Sequence, residues 1–375
     1  MNNRPAIAIV VPGGIGIHDN IPVLVTLLRN LAASFDVTIY SFSNLETHPS
    51  LITSSKCMVV YAPSKIKSNV LKALYFIWKI RHDQAFKQFV VIQGFWIMLS
   101  GIVAVVSGKL LNIPSVVTLP GGDITYIPTI HYGSISNPLK RMLTAWCVHH
   151  ASRVVTLTRF QQTIMKQHGI SRDGVSIIPY GVDLTRFQFH PHAFTKPLQL
   201  IYIGNLNRVK DSLTLIKVFY SLSQRQECRL TIVGSDIMNG EVQAYAHELG
   251  VYEKIRWEGK LSYDKIPAEL FSADILLITS LYEGQAAVVL EAFASGAIVV
   301  GTKVGLLADI GDNTITVSPG DADGLTMKIE ELIHHPETVS TLQSTNRKYA
   351  ETYSAEWTFN EYTKVYNELI IPRQH

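Results

Sequence analysis

The feature that most constrains this sequence is an alternation: short runs rich in Val, Ile and Leu give way repeatedly to stretches with helical periodicity. That order marks parallel sheets covered by helices, because neighbouring parallel strands need a crossover and the crossover is usually a helix. Strands are expected at 6–11, 36–41, 57–61, 89–92, 115–119, 153–157 and 175–178, and again at 198–203, 229–233, 255–258, 275–279, 298–301 and 314–317. The predicted fold class is α/β, with two Rossmann-like, doubly wound parallel-sheet domains facing a cleft, where open sheets of this kind bind ligands. The segment 186–197 contains Pro191 and Pro197, lacks periodicity and reads as the linker between domains 1–185 and 198–353. In 354–375, Ser354 is a candidate N-cap and Trp357, Tyr362, Val365, Tyr366 and Leu369 form one apolar stripe, so this closing helix is expected to pack back on the N-terminal domain.

Composition narrows the classes further. At 375 residues, 47% hydrophobic and 17% charged, the chain is neither disordered nor of low complexity. Cys57, Cys147 and Cys228 are far apart, with no CxxC and no Cys/His cluster, so neither a disulfide framework nor a thiolate zinc site is expected and a reducing cytoplasm fits. No signal peptide is expected, since the apolar run 7–11 is followed at once by Pro12-Gly13-Gly14. The uncharged stretch 88–108 is long enough to span a membrane. It reads instead as a strand, a turn and a buried helix, with Gln93-Gly94 interrupting the run.

Charge is unevenly distributed. Residues 1–185 carry 16 Lys and Arg against 7 Asp and Glu, and residues 186–375 carry 17 against 23. A basic first half suits an anionic partner, such as a membrane surface, a phosphorylated lipid or a nucleic acid; stray solvated lysines would give the same count. Lys65, Lys67, Lys72, Lys79, Arg81 and Lys87 interleave with Leu71, Leu74, Tyr75, Phe76, Ile77 and Trp78, as in an amphipathic surface helix that rests on anionic lipid or a core-packed helix with a basic face. No nucleic-acid recognition motif is present, and nucleic acid is not an expected partner.

Two clusters carry the chemistry. After the strand 275–279, Glu283 stands at a strand-to-helix turn, and the amides of Gly284, Gln285, Ala286 and Ala287 would be the unpaired donors of a new helix, a site for phosphate or sugar hydroxyls. Glu291, eight residues on, falls in the second turn, where a carboxylate can accept both hydrogen bonds of a ribose diol. Alone, such a glutamate pair is more often helix surface. The second cluster, 202–211, follows another strand: Gly204 allows close approach of backbone to ligand, and Arg208 with Lys210 can neutralise the diphosphate charge that grows as a nucleotide leaves a glycosyl carbon.

With these motifs the chain resembles the retaining glycosyltransferase family 4 (glycosyl transferases group 1), of the GT-B fold. Glu283 and Glu291 match its spaced glutamates, followed by Ala292 and Gly296, and the Gly204, Arg208, Lys210 loop looks like its diphosphate loop. Matches also run through 178–187, Val233-Gly234, 257–259 and 318–321. The resemblance implies a nucleotide-diphosphate sugar as donor substrate and no cofactor. It implies Glu291 on the ribose, Arg208 and Lys210 on the diphosphate, and Glu283 with the amides of Gly284 to Ala287 on the sugar. Gly234, Lys260 and Leu261 would frame the base, and the loop with Gly14 and Gly16 would approach the diphosphate and the acceptor. Transfer would occur with retention; no metal cluster is visible, and Arg plus Lys can replace a metal.

The sequence also departs from the family pattern. A histidine common at the end of a first-domain strand is absent, and 115–119 leads instead into Pro120-Gly121-Gly122-Asp123. Asp123, Tyr126 and His131 are the acceptor candidates, although an aspartate after Gly-Gly is equally a solvated turn residue. Gln285 and Ala286 stand where Phe and Gly are common, Ile298 where proline is frequent, and Leu306 where a second glycine is frequent. His18, His149 and His150 are lone histidines, usually structural, and no GxSxG or Cys/His pair supports a hydrolase. The expected protein is a cytoplasmic transferase, soluble or peripheral on the inner membrane face. It would move a hexose or N-acetylhexosamine from a UDP- or GDP-sugar to a glycan or lipid-linked glycan in cell-surface polysaccharide biosynthesis. The competing readings are a nucleotide-sugar epimerase, whose acid/base set is not recognisable, and a non-catalytic nucleotide-sugar-binding subunit of a glycan-assembly complex.

Overall fold

The computed structural model describes residues 4–17, 21–44, 46–48, 51, 57–170, 172–311 and 314–370. The chain divides into two compact units, Met1–Tyr180 with Ala355–His375, and Gly181–Ser354.

The first unit is a seven-stranded parallel sheet made of β1 (Ala6–Val11), β2 (Asp36–Ser41), β3 (Cys57–Tyr61), β4 (Phe89–Phe95), β5 (Ser115–Leu119), β6 (Arg153–Thr156) and β7 (Ser176–Ile177), in the order β3-β2-β1-β4-β5-β6-β7. Every residue of β1 is buried, as a central strand covered on both faces requires, and this explains a continuous apolar run without alternation. The helix Pro22–Ser34 and the C-terminal helix Ala355–Ile370 pack together over one face, around Ile7, Ile9, Val37 and Val91. Asn69–Lys87, Ile102–Leu111 and Pro138–His150 cover the other.

The C-terminal helix is fixed to its sheet by hydrogen bonds as well as apolar contact. Tyr362 Oη lies 2.9 Å from Thr118 Oγ1, Thr358 Oγ1 donates to the Pro179 carbonyl at 2.7 Å, and Tyr366 Oη donates to Gln93 Oε1 at 3.2 Å. Gln93 also donates through Nε2 to Thr118 Oγ1 at 3.1 Å, so its buried amide is satisfied on both sides. This corrects the expectation that Gln93-Gly94 ends the strand: β4 runs through both to Phe95. Gly94 is there because a β-carbon would stand 2.8 Å from the Gly101 Cα. Among the described residues no helix is long and apolar enough to cross a membrane.

The second unit is a six-stranded parallel sheet of β8 (Leu198–Ile203), β9 (Cys228–Val233), β10 (Ile255–Gly259), β11 (Ile275–Ile278), β12 (Ile298–Thr302) and β13 (Ile315–Val317), in the order β10-β9-β8-β11-β12-β13. Leu215, Phe219, Leu325 and Ile329 lie in the core of one face, and Phe187, Leu290, Phe293 and Leu307 in that of the other.

The segment 186–197 is not a free linker. Phe187 is fully buried in the second unit, the His190 amide donates to the Ser295 carbonyl at 3.0 Å, and Thr195 donates to the buried Asp274 through its amide and its hydroxyl. The division falls at 180/181 and 354/355, because Val182 is buried in the second unit and its amide donates to the Tyr353 carbonyl at 3.2 Å. Absence of periodicity was a poor guide here: an irregular segment can be held as firmly as a helix when its polar groups find partners.

Candidate active site

In the second sheet the strand order reverses between β8 and β11, and a doubly wound sheet binds ligands at the carboxyl ends of the strands at such a point. The loops leaving these two strands carry Lys210 and Glu283. They are tied together: the Leu281 amide donates to the Val209 carbonyl at 2.8 Å and Thr279 Oγ1 to the Lys210 carbonyl at 2.8 Å. Asn207 Oδ1 accepts from the Lys210 amide at 2.8 Å and fixes the turn from within. So held, Lys210 Nζ reaches Glu283 Oε1 at 2.5 Å, and Ser280 Oγ donates to the same oxygen at 2.6 Å. Glu283 is buried and Lys210 keeps one side open, an arrangement that presents a cation to an incoming anion while its carboxylate stays desolvated.

Arg208 is not part of this pair. It is exposed, and its guanidinium donates to Glu241 at 2.9 Å.

Gly204 and Gly234 stand where the β8 and β9 loops cross. The Gly204 amide donates to the Val233 carbonyl and the Gly234 amide to the Gly259 carbonyl, both at 2.8 Å. Gly234 has φ +149, and a β-carbon there would lie 2.0 Å from the Gly204 carbonyl oxygen. Beyond Gly259, Lys260 is exposed and Leu261 packs on the cluster around Leu290 and Phe293.

The helix after Glu283 starts later than its sequence suggests. It spans Val288–Ser295, so Gly284 to Ala287 form the turn before it and Glu291 belongs to its first turn, not its second. The Gln285 carbonyl accepts from Leu306, and Ala286 has φ +66, a conformation glycine adopts freely and residues with a β-carbon rarely do.

Glu291 is buried and accepts from the Tyr263 hydroxyl at 2.8 Å. Burial pushes its carboxyl up to about 7, against the opposing pull of that hydrogen bond and of the Arg186 charge. The Arg186 guanidinium lies over the Tyr263 ring, 4.9 Å from its centroid, and pairs with Asp264. Tyr263 was not singled out from sequence, because a tyrosine four residues past Gly259 carries no motif. Arg186 falls in the segment 178–187 that matches the family, where the resemblance gives it no role.

A pH dependence follows. With a folded value of about 7 against an ordinary 4.5, the folded chain binds more protons between those limits, so stability falls as pH rises through the window. The full loss, on the order of 3 kcal/mol, is reached above pH about 7. Glu291→Gln should therefore gain on wild type in urea melts as pH is raised from 5 to 8; a constant difference between the two curves would refute the assignment.

In the first unit, Gly14 accepts from the Ile21 amide at 2.8 Å and Gly16 pairs in an antiparallel bridge with Thr47, so the 12–17 loop is ordered beyond β1. His18 lies outside the described residues. Asp123 is not a solvated turn residue. It is buried beyond β5 and accepts from the amides of Ile97 and Met98; burial pushes its carboxyl up to about 6, and among the described residues Oδ2 has no hydrogen-bond partner. Those amides come from a strained segment in which Trp96 and Leu99 have φ +65 and +67. Tyr126 packs on the core beneath, and His131 is exposed with φ +49.

A family model described as Glycosyltransferase Family 4 matches residues 22–186, and one described as Glycosyl transferases group 1 matches residues 185–349. The chain belongs to the family-4 glycosyltransferases. This family member is 27% identical over 213 residues to MMP alpha-(1->4)-mannosyltransferase of Mycolicibacterium hassiacum, an alignment covering 55% of the chain and 51% of the relative. The chain thus spans about half the length of that curated relative. Among solved structures it is similar to sucrose-phosphate synthase of Thermosynechococcus elongatus, with TM-score 0.81, 19% identity and coverage of 98% and 99%. It is also similar to Anabaena HepE in complex with UDP, with TM-score 0.77, 16% identity and coverage of 97% and 100%. The two parallel-sheet domains of this family-4 chain have the GT-B fold.

Proposed function

We propose that this chain is a retaining, metal-independent glycosyltransferase that moves a hexose or N-acetylhexosamine from a UDP- or GDP-sugar to a glycan in cell-surface polysaccharide assembly. The observation that carries the reading is the Lys210–Glu283 pair, held at the β8/β11 reversal by loops bonded to one another. Family membership supports it, as do the UDP bound to Anabaena HepE and a likeness to lipopolysaccharide 1,6-galactosyltransferase of Salmonella typhimurium.

In this reading Glu291 accepts hydrogen bonds from the ribose hydroxyls, while Gly234, Lys260 and Leu261 frame the base. Lys210 and, after release from Glu241, Arg208 neutralise the diphosphate. Glu283 and the turn Gly284 to Ala287 hold the sugar. The bond from the anomeric carbon to the phosphate oxygen breaks and its electrons stay on that oxygen. The acceptor hydroxyl attacks the same face, and its proton passes to the departing phosphate. The protein's task is then to stabilise charge and position reactants rather than to supply a strong base. Gly14, Gly16, Asp123, Tyr126 and His131 are assigned to the approach of the diphosphate and the acceptor.

The test is thermal stability in the presence of UDP, GDP, ADP, CMP and their sugar conjugates. A ligand at a hundred times its Kd should add about 2.7 kcal/mol. A rise with UDP or GDP that disappears in the Arg208→Ala/Lys210→Ala variant is expected. Equal melting with every nucleotide would overturn the reading.

A further inference from the structure

The helix Asn69–Lys87 has an outer face of unusual chemistry. Its core contact is narrow: Phe76, Ile80 and Asp83 are its buried residues. On the opposite stripe, at helical spacing, Leu71, Leu74 and Trp78 are 55%, 57% and 58% exposed, and Phe86 on the last turn is 78% exposed. The rings of Tyr75, Trp78, His82 and Phe86 follow one another along this side at 5.6–5.8 Å. A helix packed on a sheet normally gives polar residues to solvent. This one gives solvent a second apolar stripe, of the kind that marks an interaction surface.

Charge around that stripe has one sign. Between Glu46 and Asp173 the sequence holds 14 Lys and Arg and two acids, Asp83 and Asp123, and both acids are buried. Some of the cations are engaged inward: Lys72 donates to the Phe42 carbonyl at 3.0 Å, Lys79 pairs with Asp83 at 2.6 Å, and Lys87 lies 4.0 Å from Asp36. Lys65 and Lys67 just before the helix, and Arg81 on its outer face, are exposed. The same chemistry continues on the two neighbouring helices, where Leu110 and Met142 are each 60% exposed and Lys109, Lys140 and Arg141 stand beside them.

We propose that this face of the first unit docks on an anionic lipid bilayer. Leu71, Leu74, Trp78 and Phe86 would enter the headgroup boundary, with Lys65, Lys67 and Arg81 on lipid phosphates. A surface with apolar residues at its centre and cations around it, with Asp83 buried and the half-exposed Asp36 beside Lys87 at the end of the helix, matches such a bilayer in both hydrophobicity and charge. A protein partner would need to be acidic and apolar on one face, and nothing in the structure selects one. The inference does not depend on transfer activity, because binding is read without donor or acceptor.

The experiment is flotation of the full chain with vesicles of phosphatidylcholine alone and of an equal mixture of phosphatidylcholine and phosphatidylglycerol, at low and high salt. The chain should float with the mixed vesicles and be released by salt. Leu74→Glu/Trp78→Glu should abolish flotation. Lys67→Glu/Arg81→Glu should weaken it at least twenty-five-fold, about fivefold for each cation removed. All four positions are exposed or follow exposed turns, so each variant should keep the wild-type melting temperature, and a control pair on the second unit, Lys254→Glu/Lys328→Glu, should float normally. Equal recovery in the soluble fraction with both vesicles would overturn the proposal. So would a wild-type dimer that Leu74→Glu/Trp78→Glu splits without any lipid, since the face would then join two copies of the chain.

Discussion

Lys210→Ala is expected to lower kcat for sugar transfer by about 10²–10³-fold, the scale of losing one group that stabilises charge developing in a transition state. Lys210 is bonded to Glu283 on the neighbouring β11 loop and held by a turn that Asn207 closes, so its ammonium needs little rearrangement to meet a leaving diphosphate. The variant should also lose about 2 kcal/mol of stability, because the buried Glu283 side chain loses its Lys210 partner while the Ser280 hydroxyl still donates to it. The two losses separate in the double variant Lys210→Ala/Glu283→Gln, which should recover stability and stay slow. Steady-state transfer with a UDP- or GDP-sugar, beside urea melts of the three proteins, makes the comparison. Near-normal kcat in Lys210→Ala would remove the residue from the chemistry whatever happened to the melts.

The regular part of this fold was legible because its determinants are local. A run such as 6–11 can satisfy its backbone only as a strand and can hide its side chains only between two layers of helices. What failed were positions whose meaning is set from a distance. Gln93-Gly94 looks like a break until Tyr366 and Thr118, far along the chain, supply the partners of the amide. The segment 186–197 looks like a linker until Asp274 and Ser295 bind its backbone.

The candidate site shows the same division. Glu283 and Lys210 could be placed from strand-end motifs, since each follows a strand whose carboxyl end carries the loop. Tyr263 could not, because its importance consists in reaching Glu291 from another strand's loop. Arg208 was placed beside Lys210 by spacing alone, and spacing does not say that Glu241 holds it. Asp123, readable as a solvated turn residue, is buried because the strained segment after β4 turns two amides onto it.

Gly234→Ala should be among the most disruptive single-methyl changes available in the second unit. Two costs combine: a positive φ that a β-carbon opposes, and a β-carbon 2.0 Å from a backbone oxygen that cannot swing away as a side chain would. Strain from the first is about 1 kcal/mol, and overpacking of the second kind reaches about 3 kcal/mol. A total near 4 kcal/mol is expected, relieved in part by parting the β8 and β9 loops. Parting them breaks the link between the Gly204 loop and the Gly234–Gly259 hydrogen bond, so nucleotide-induced stabilisation should disappear even at temperatures where the variant is folded. Gly240→Ala provides the control, since Gly240 also has a positive φ but no atom of the described residues within 4 Å of a β-carbon. It should lose only the strain and keep its response to nucleotide. If the two variants melt together, backbone conformation alone demands glycine at 234, and the close crossing of the two loops has no part in forming the site.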